Sequence, residues 1–494
     1  MRFNKLKYFI YILFIFSLTS CNIDGLLSIL DEIVVENDHY GNNTAIEVDR
    51  DIGDSIKLLD NAFNAKVDKY NNPLILDNYT SAKNEYDSTE RLNIRQNVTN
   101  LEYNQYLTPT SGTVNGLVIP VDFSDYPAKK IEQDSLLPDY HSVSSYYYNS
   151  SYGKLNMNFD VLGWQRLKNK SSYYERSNKF EGEAPGASEI IYEVLSYLQH
   201  DLDLTKYDND DDGLIDCLYI IYSRPYNSNS DFWWAFQYTT LENKSFDNVL
   251  TGYYVFASYE FLFEDNKECD TITYIHETGH MLGLEDYYDY DTDEGFNRGG
   301  LGAADMMDYN LGDHNPFSKM SLGWIKNPLL IQLDDNQSTT INLYNYETTG
   351  DIAIICDNYD STKGMFQDYF LLIYTDPYSI LNENNTIYTK KGVRVYRVHG
   401  QLKIYSEGNV SYEYFKYDNS YTNYNLIDSF IKNPINPIYS KNKYQELCAS
   451  DNDLFYKGDT CSNLFYYNQI TSPSDYSFKV DNLNENYASI TIYK

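Results

Sequence analysis

The stretch Gly116-Leu117-Val118-Ile119-Pro120-Val121-Asp122-Phe123 decides the fold class of this chain. It is an almost continuous apolar run of strand length, which suits a central strand that is buried on both faces. Outward from it, apolar runs or period-two alternation predict strands at residues 155–161, 218–222 and 253–259, and apolar residues at helical spacing predict a helix over 190–198. Strands interleaved with helices predict an α/β (α+β) domain over residues 111–326.

Residues 327–494 have a different pattern of apolar and polar residues. Short alternating apolar runs are separated there by Asn, Asp and Gly, and they predict strands at 340–346, 369–374, 393–398 and 488–493. Such a succession of short strands is typical of an all-β domain of the sandwich type. We therefore expect a β-rich C-terminal domain after the α/β domain.

The first twenty residues have the pattern of a secretory signal, because Arg2, Lys5 and Lys7 precede an apolar segment too short to span a bilayer. This segment ends in Leu18-Thr19-Ser20-Cys21, which resembles a bacterial lipobox and implies that Cys21 is acylated. An ordinary signal peptide with a free Cys behind it is the alternative. We expect an exported protein anchored to the membrane at the cell surface, with residues 21–110 as a tether and an N-terminal extension or pro-segment.

The balance of charge limits the partners of the protein. Its 38 Lys and Arg stand against 72 Asp and Glu, so the formal net charge is −34. A surface this acidic repels phosphate backbones, and we therefore expect no nucleic-acid partner.

Cysteine usage fits an exported chain. If Cys21 is acylated, five cysteines remain, and an odd number leaves at least one unpaired. Cys448 and Cys461 close a short polar loop and are the predicted disulfide, whereas the other three lie beside apolar runs, as buried small hydrophobes do. No pair has CxxC spacing, which excludes a structural zinc ribbon.

Candidate metal ligands and a candidate catalytic carboxylate lie together in residues 274–286, Tyr-Ile-His-Glu-Thr-Gly-His-Met-Leu-Gly-Leu-Glu-Asp. Residues four apart share one face of a helix, so His276 and His280 can bind one zinc ion with Glu277 beside them. Asp270 is a reasonable N-cap for this helix. Gly283 lets the chain turn sharply out of it, and Asp286 returns as a third ligand. Three protein ligands leave a fourth position for water, which is the catalytic arrangement.

Two neighbours, Glu285 and Asp289, could replace Asp286 as the third ligand. A second motif lies downstream, at Ala304-Asp305-Met306-Met307-Asp308-Tyr309, and it resembles the Met-turn of metzincin peptidases. In that family the Met forms an apolar floor beneath the zinc and the Tyr hydroxyl helps to bind the oxyanion. The resemblance gives these positions to Met307 and Tyr309, although Met306 could be the floor instead.

The resemblance extends over about residues 112–326 and is closest to the immune inhibitor A-like metallopeptidases, peptidase family M6. It is carried by the zinc helix and by the segments 118–125, 142–155 and 313–324. Phe236 departs from the pattern, since a His looks commoner there. Membership would imply a metzincin-like catalytic domain that acts on protein or peptide substrates.

An acidic loop, Asp208-Asn209-Asp210-Asp211-Asp212-Gly213-Leu214-Ile215-Asp216, has the DxDxDGxxD pattern. Asp208, Asp210, Asp212 and Asp216 can surround one hard cation of calcium size, with Gly213 at the tight turn. Position twelve is Tyr219, so the bidentate Glu of a complete EF-hand is missing. We expect a Ca²⁺ site here, because crowded carboxylates repel one another unless a cation neutralises them. A solvated acidic turn is the alternative.

The sequence therefore predicts a lipid-anchored zinc endopeptidase in which Glu277 takes a proton from water and passes it to the leaving amine. Of the other histidines, His314 could line the cleft, whereas His141, His200 and His399 carry no partner motif. The alternative function is a Tyr-rich surface adhesin or glycan-binding lipoprotein whose metal domain is not catalytic.

Overall fold

The structure is a computed structural model. It describes residues 52–76, 108–132, 135–175, 185–230, 232–242, 244–266, 269–289, 300–407, 410–420, 425–430, 432, 449–462, 464 and 474–494. Cys21, the predicted signal segment and Cys448 lie outside these residues. Lipidation and the Cys448–Cys461 disulfide therefore stay predictions.

Within the described residues the fold is mixed α/β, with several open sheets and few helices and with no closed barrel. The α-helices are α1 (Ser55–Asn64), α2 (Val143–Ser150), α3 (Ser171–Tyr174), α4 (Pro185–Leu198), α5 (Ile272–Met281), α6 (Met306–Tyr309), α7 (Pro316–Ser321) and α8 (Tyr346–Thr349). None of the helices in this part of the chain is long and apolar enough to cross a membrane.

The first sheet is built around the apolar run that opened the sequence analysis. Its strands are β1 (Gly112–Asp122), β2 (Leu155–Val161), β3 (Gln165–Arg166), β4 (Leu218–Tyr222), β5 (Phe236–Thr239) and β8 (Tyr253–Ser258), in the order β2-β1-β4-β8-β5 with β3 beside β1. A small hairpin, β6 (Ser245–Phe246) and β7 (Val249–Leu250), lies apart from it. β4 is parallel to both β1 and β8, with Leu117 opposite Leu218 and Leu218 opposite Tyr254. β1, which contains most of the predicted central strand, lies between β2 and β4, and this prediction is confirmed.

The later strands form two larger sheets and one hairpin. The four-stranded sheet has the order β10-β19-β18-β17, from β10 (Ser338–Tyr344), β17 (Thr460–Cys461), β18 (Ser477–Leu483) and β19 (Tyr487–Tyr493). The five-stranded sheet has the order β16-β13-β12-β11-β9, from β9 (Leu329–Ile331), β11 (Ala353–Ile355), β12 (Asp368–Thr375), β13 (Gly392–His399) and β16 (Ile427–Ser429). The hairpin pairs β14 (Leu402–Glu407) with β15 (Val410–Phe415). Buried side chains of both larger sheets belong to one hydrophobic cluster.

The described part of residues 327–494 is rich in strands, as the sequence predicted, and it also contains the single helical turn α8. The predicted strand at 340–346 ends at Tyr344, where the Asn345 side chain accepts a hydrogen bond from the Thr348 N–H and caps a helical turn. Gly350 ends that turn in the left-handed conformation, with φ 64°. The physical reason is local capping, which competes with strand extension at this point.

By its contacts the chain forms two compact units. One comprises the described parts of Met1–Asn61, Asn115–Leu136 and Asn158–Asp270, and it holds most of the first sheet. The other comprises those of Ala62–Val114, Leu137–Met157 and Thr271–Lys494, and it holds α5, α6 and the two later sheets. Helix α5 therefore groups with the C-terminal strands. The predicted domains at 111–326 and 327–494 stay predictions.

Candidate metal centre

Helix α5 places His276 and His280 one turn apart on one face. The helix ends at Met281, Gly283 adopts φ 95°, and the Leu284 N–H donates to the Gly279 carbonyl at 2.9 Å. This turn brings Asp286 back towards the two imidazoles. The glycine that the sequence assigned to the turn thus has the conformation that the turn requires.

The N-terminal end of α5 corrects one expectation. The N-cap is Thr271 rather than Asp270, and its side chain makes no capping hydrogen bond. Its hydroxyl donates instead to the carbonyl of His141.

Three ligand atoms lie close together beyond the helix. The Nε2 atoms of His276 and His280 are 3.2 Å apart, and they lie 3.1 and 3.2 Å from Oδ1 of Asp286. A tetrahedral zinc ion with ligand bonds of about 2.0–2.1 Å holds its ligand atoms about 3.3 Å apart. The spacing of the three atoms therefore fits one zinc ion.

Hydrogen bonds to backbone carbonyls fix the orientation of both imidazoles. Nδ1 of His276 lies 2.9 Å from the Met306 carbonyl oxygen, and Nδ1 of His280 lies 2.8 Å from that of Leu284. A carbonyl oxygen only accepts, so Nδ1 carries the proton in each ring. The Nε2 atoms are then left to face Asp286, which is the usual arrangement around a metal-ligating His.

The electrostatics of the three groups favour a cation between them. Burial disfavours a charged imidazole, but the Asp286 carboxylate outweighs burial and raises the pKa of His280 to about 10. The pKa of the Asp286 carboxyl lies well below its usual range, because the two histidines outweigh the effect of burial. Oδ1 of Asp286 is buried and lacks a hydrogen-bond donor among the described residues. Two imidazole lone pairs and a carboxylate oxygen facing one another are stable only with protons or a metal cation among them.

The two methionines at the start of α6 make different contacts with α5. Met306 provides the carbonyl that accepts from His276. Met307 is fully buried, and its sulfur lies against Gly279 on the zinc helix. Of the two candidates for the apolar floor, Met307 is thus the one whose side chain packs against this helix.

Asp305 holds this turn in place. Its Oδ1 accepts from the Met307 N–H at 2.9 Å, and its Oδ2 accepts from the Asn315 N–H at 2.6 Å. Asp308 accepts from the Ala303 N–H at 2.8 Å. Both acids thus make hydrogen bonds to backbone N–H groups in or beside this turn.

The remaining residues of the predicted zinc site differ in exposure. Glu277, next to His276, is buried, with 6% of its surface exposed. Tyr309 ends α6 and is 58% exposed, so its hydroxyl can be reached from solvent. Of the alternatives for the third ligand, neither Glu285 nor Asp289 belongs to the cluster of His276, His280 and Asp286.

His314 does not line a cleft, because it is fully buried. Its ring lies 5.5 Å from that of Tyr146 and 5.8 Å from that of Tyr147, and burial lowers its pKa well below the usual value. Of the other histidines, His141 is buried, with Nε2 2.8 Å from the Ile380 carbonyl oxygen, and His200 is exposed. Nδ1 of His399 lies 3.4 Å from Asp368.

The acidic loop brings together three of its four predicted ligands. Carboxylate oxygens of Asp208, Asp210 and Asp216 lie within 4.8 Å of one another. Asp212 is not part of this group. Its Oδ1 accepts from the Leu214 N–H at 2.8 Å within the turn. Gly213 has φ 86°, as the tight turn requires. Burial, followed by the charges of Asp210 and Asp212, raises the pKa of Asp216 to about 7. A hard cation would relieve this repulsion.

Among the described residues, only these two clusters of three or more His, Cys, Asp or Glu side chains could hold a metal ion. No model of a protein family matches the chain, and the search of curated proteins gives no match either.

Proposed function

We propose that the protein is an exported, lipid-anchored zinc endopeptidase that hydrolyses peptide bonds of extracellular proteins. The observation that carries the proposal is the triangle of His276, His280 and Asp286, whose ligand atoms are 3.1–3.2 Å apart. A buried carboxylate, Glu277, follows the first ligand directly. The likeness to peptidase family M6 in the zinc helix and the Met-turn supports the same activity, with a metzincin-like catalytic domain. The cluster shared by the two later sheets supports a sandwich-like C-terminal region.

The chemistry divides between the metal and the side chains. A zinc ion held by the three ligands would lower the pKa of water and polarise the substrate carbonyl. Glu277 is the general base that accepts the proton of the attacking water and returns it to the leaving amine. The exposed Tyr309 hydroxyl donates a hydrogen bond to the oxyanion that develops on the substrate. The fixed Nδ1 protons of both histidines keep their Nε2 atoms aimed at one point.

The acidic loop would have a separate role. We infer that Asp208, Asp210 and Asp216 hold Ca²⁺, which stabilises the strand β4 that follows. The ion takes no part in hydrolysis.

The decisive experiment compares the wild-type protein with Glu277→Gln on casein, each with measured zinc content. We expect one zinc ion per chain in both proteins, hydrolysis by the wild type alone, and its loss and recovery on chelation and zinc addition. A zinc-loaded wild type that cleaves no protein substrate would refute the proposal and favour an adhesin. Membrane fractionation of Cys21→Ser tests the anchor, since the variant should be released.

A further inference from the structure

Arg394 reaches from the five-stranded sheet to the loop in front of the Met-turn. The residue lies on β13 and is 7% exposed. One terminal nitrogen of its guanidinium donates to the Ala304 carbonyl at 3.0 Å. The other donates to the Leu301 carbonyl at 3.1 Å and to the Ser429 hydroxyl at 2.8 Å. The rings of Tyr388 and Tyr396 lie 4.8 and 4.6 Å from the guanidinium carbon.

Asp308 holds the same loop through other atoms. Its Oδ2 accepts from the Leu301 N–H at 3.2 Å and from the Ala303 N–H at 2.8 Å. Asp308 thus binds N–H groups of the loop, and Arg394 binds its carbonyl groups. Both Leu301 and Ala304 are buried, so their carbonyls need protein donors. The Leu301 carbonyl also accepts from the Ser429 hydroxyl and from the Ala304 N–H, both at 3.4 Å.

This loop leads within two residues to a contact with a zinc ligand. Ala304 precedes Asp305, which caps α6, and Met306 follows with the carbonyl that lies 2.9 Å from Nδ1 of His276. A displacement of Ala304 therefore moves the acceptor that orients the imidazole. A planar guanidinium spreads its donors over two terminal nitrogens and so reaches two separate carbonyls, whereas the three donors of a Lys ammonium radiate from one nitrogen on a flexible stem.

We propose that Arg394 is a positioning residue for the metal centre. Arg394 fixes the loop 301–304, and this loop, through the Met306 carbonyl, fixes the orientation of His276. The proposal rests on the proposed function only in assigning zinc to His276, His280 and Asp286. Strand β13 thus contributes a side chain that supports the metal centre.

The same strand offers a matched control in Arg397. This residue is 3% exposed and forms a two-pronged ion pair with Asp428, with both N···O distances 2.7 Å. Arg397→Met removes a buried cation from β13, as Arg394→Met does, but the contacts of the Arg397 guanidinium with Asp428 do not involve the loop 301–304. Loss of stability alone should affect both variants.

The test measures zinc dissociation into a chelator, the absorption spectrum of the cobalt-substituted protein, and the unfolding temperature. For Arg394→Met we expect 10- to 100-fold weaker zinc binding, which is about the effect of losing an outer partner of a metal ligand, and a changed cobalt spectrum. Arg394→Lys should fall between this variant and the wild type. Arg397→Met should unfold at a lower temperature yet keep the wild-type zinc affinity and cobalt spectrum.

Two results would overturn the proposal: wild-type zinc binding in Arg394→Met, or an equal loss in Arg397→Met. If Arg394→Met does not fold, Arg394→Lys must show the weaker binding. These measurements need no hydrolysis. If the wild type binds zinc but cleaves no substrate, the proposed peptidase activity is refuted. The role of Arg394 is still tested by the zinc-binding measurements.

Discussion

The sulfur of Met307 lies so close to Gly279 that a Cβ atom at position 279 would come within 2.5 Å of it. Gly in a helix interior costs about 1 kcal/mol relative to Ala. The close approach of Met307 explains why α5 has Gly at this position. Position 279 also lies directly before His280, a ligand in the proposed metal centre, so this contact couples Met307 to that centre.

Gly279→Ala should therefore lower both the unfolding temperature and the zinc affinity, because either Met307 or the helix must shift. The same substitution in a Met307→Ala background should cost little, since the clash is gone and Ala favours the helix. A double-mutant cycle on the free energy of unfolding measures this coupling. Equal costs of Gly279→Ala in both backgrounds would contradict the contact.

His280→Ala should abolish zinc binding and hydrolysis together, because two ligand atoms do not hold the ion tightly. Zinc content after dialysis and casein hydrolysis are the two measurements. The matched control is His200→Ala, which removes an exposed His and should change neither. Full zinc content in His280→Ala would exclude the assigned ligand set.

His141 should make stability depend on pH. Burial lowers its pKa to about 4 in the folded protein from a usual value of 6.5. The unfolded chain therefore binds the proton first, and the stability that this group contributes is fully present above pH 6.5 and is lost as pH falls towards 4. The loss between pH 7.5 and pH 5 should be about 2 kcal/mol.

His141→Gln removes the titrating group, and its amide N–H₂ can still donate to the Ile380 carbonyl. Urea denaturation at both pH values should show a smaller pH dependence in this variant than in the wild type. His200→Gln, an exposed control, should behave as the wild type does. An unchanged pH dependence in His141→Gln would show that His141 is not the source.

Calcium should raise the unfolding temperature through three of the loop carboxylates. At a calcium concentration of 100 times the dissociation constant the gain is about 2.7 kcal/mol. Asp210→Asn should lose most of this response, whereas Asp212→Asn, which lies outside the cluster, should keep most of it. The unfolding temperatures of the wild type and of both variants are measured in calcium titrations at constant zinc concentration and ionic strength. The same response in all three proteins would indicate a solvated acidic turn.

Asn149 should be needed to hold residues 74–76 in the fold. Its fully buried amide donates to the Leu74 carbonyl at 2.6 Å and accepts from the Leu76 N–H at 3.1 Å. Asn149→Ala leaves both groups without this partner and should lower the free energy of unfolding by about 2 kcal/mol. Chemical denaturation measures this change. A neutral result would support the view that this part of the N-terminal segment is removable.

The sequence by itself determined what depends on local spacing. An apolar run placed β4 correctly at Leu218–Tyr222, and period-two and 3.6-residue patterns identified β12, β13, β19 and α4 to within a few residues. The four-residue interval between His276 and His280, and the turn at Gly283, brought the three predicted zinc ligands into one cluster. These features could be predicted because helix and turn geometry fix the relative positions of residues that are close in the chain.

Only the tertiary structure decided the features that join distant segments. It separated Met306 from Met307 through contacts with α5, about thirty residues earlier in the chain. It enclosed His314, which on the sequence could have lined a cleft, and it brought Arg394 from β13 to the carbonyls of residues 301 and 304. The alternation at 393–398 indicated a strand but carried no signal for what the Arg394 guanidinium would contact. Periodicity tells which face of an element is buried, whereas the partners on that face depend on how the whole chain packs.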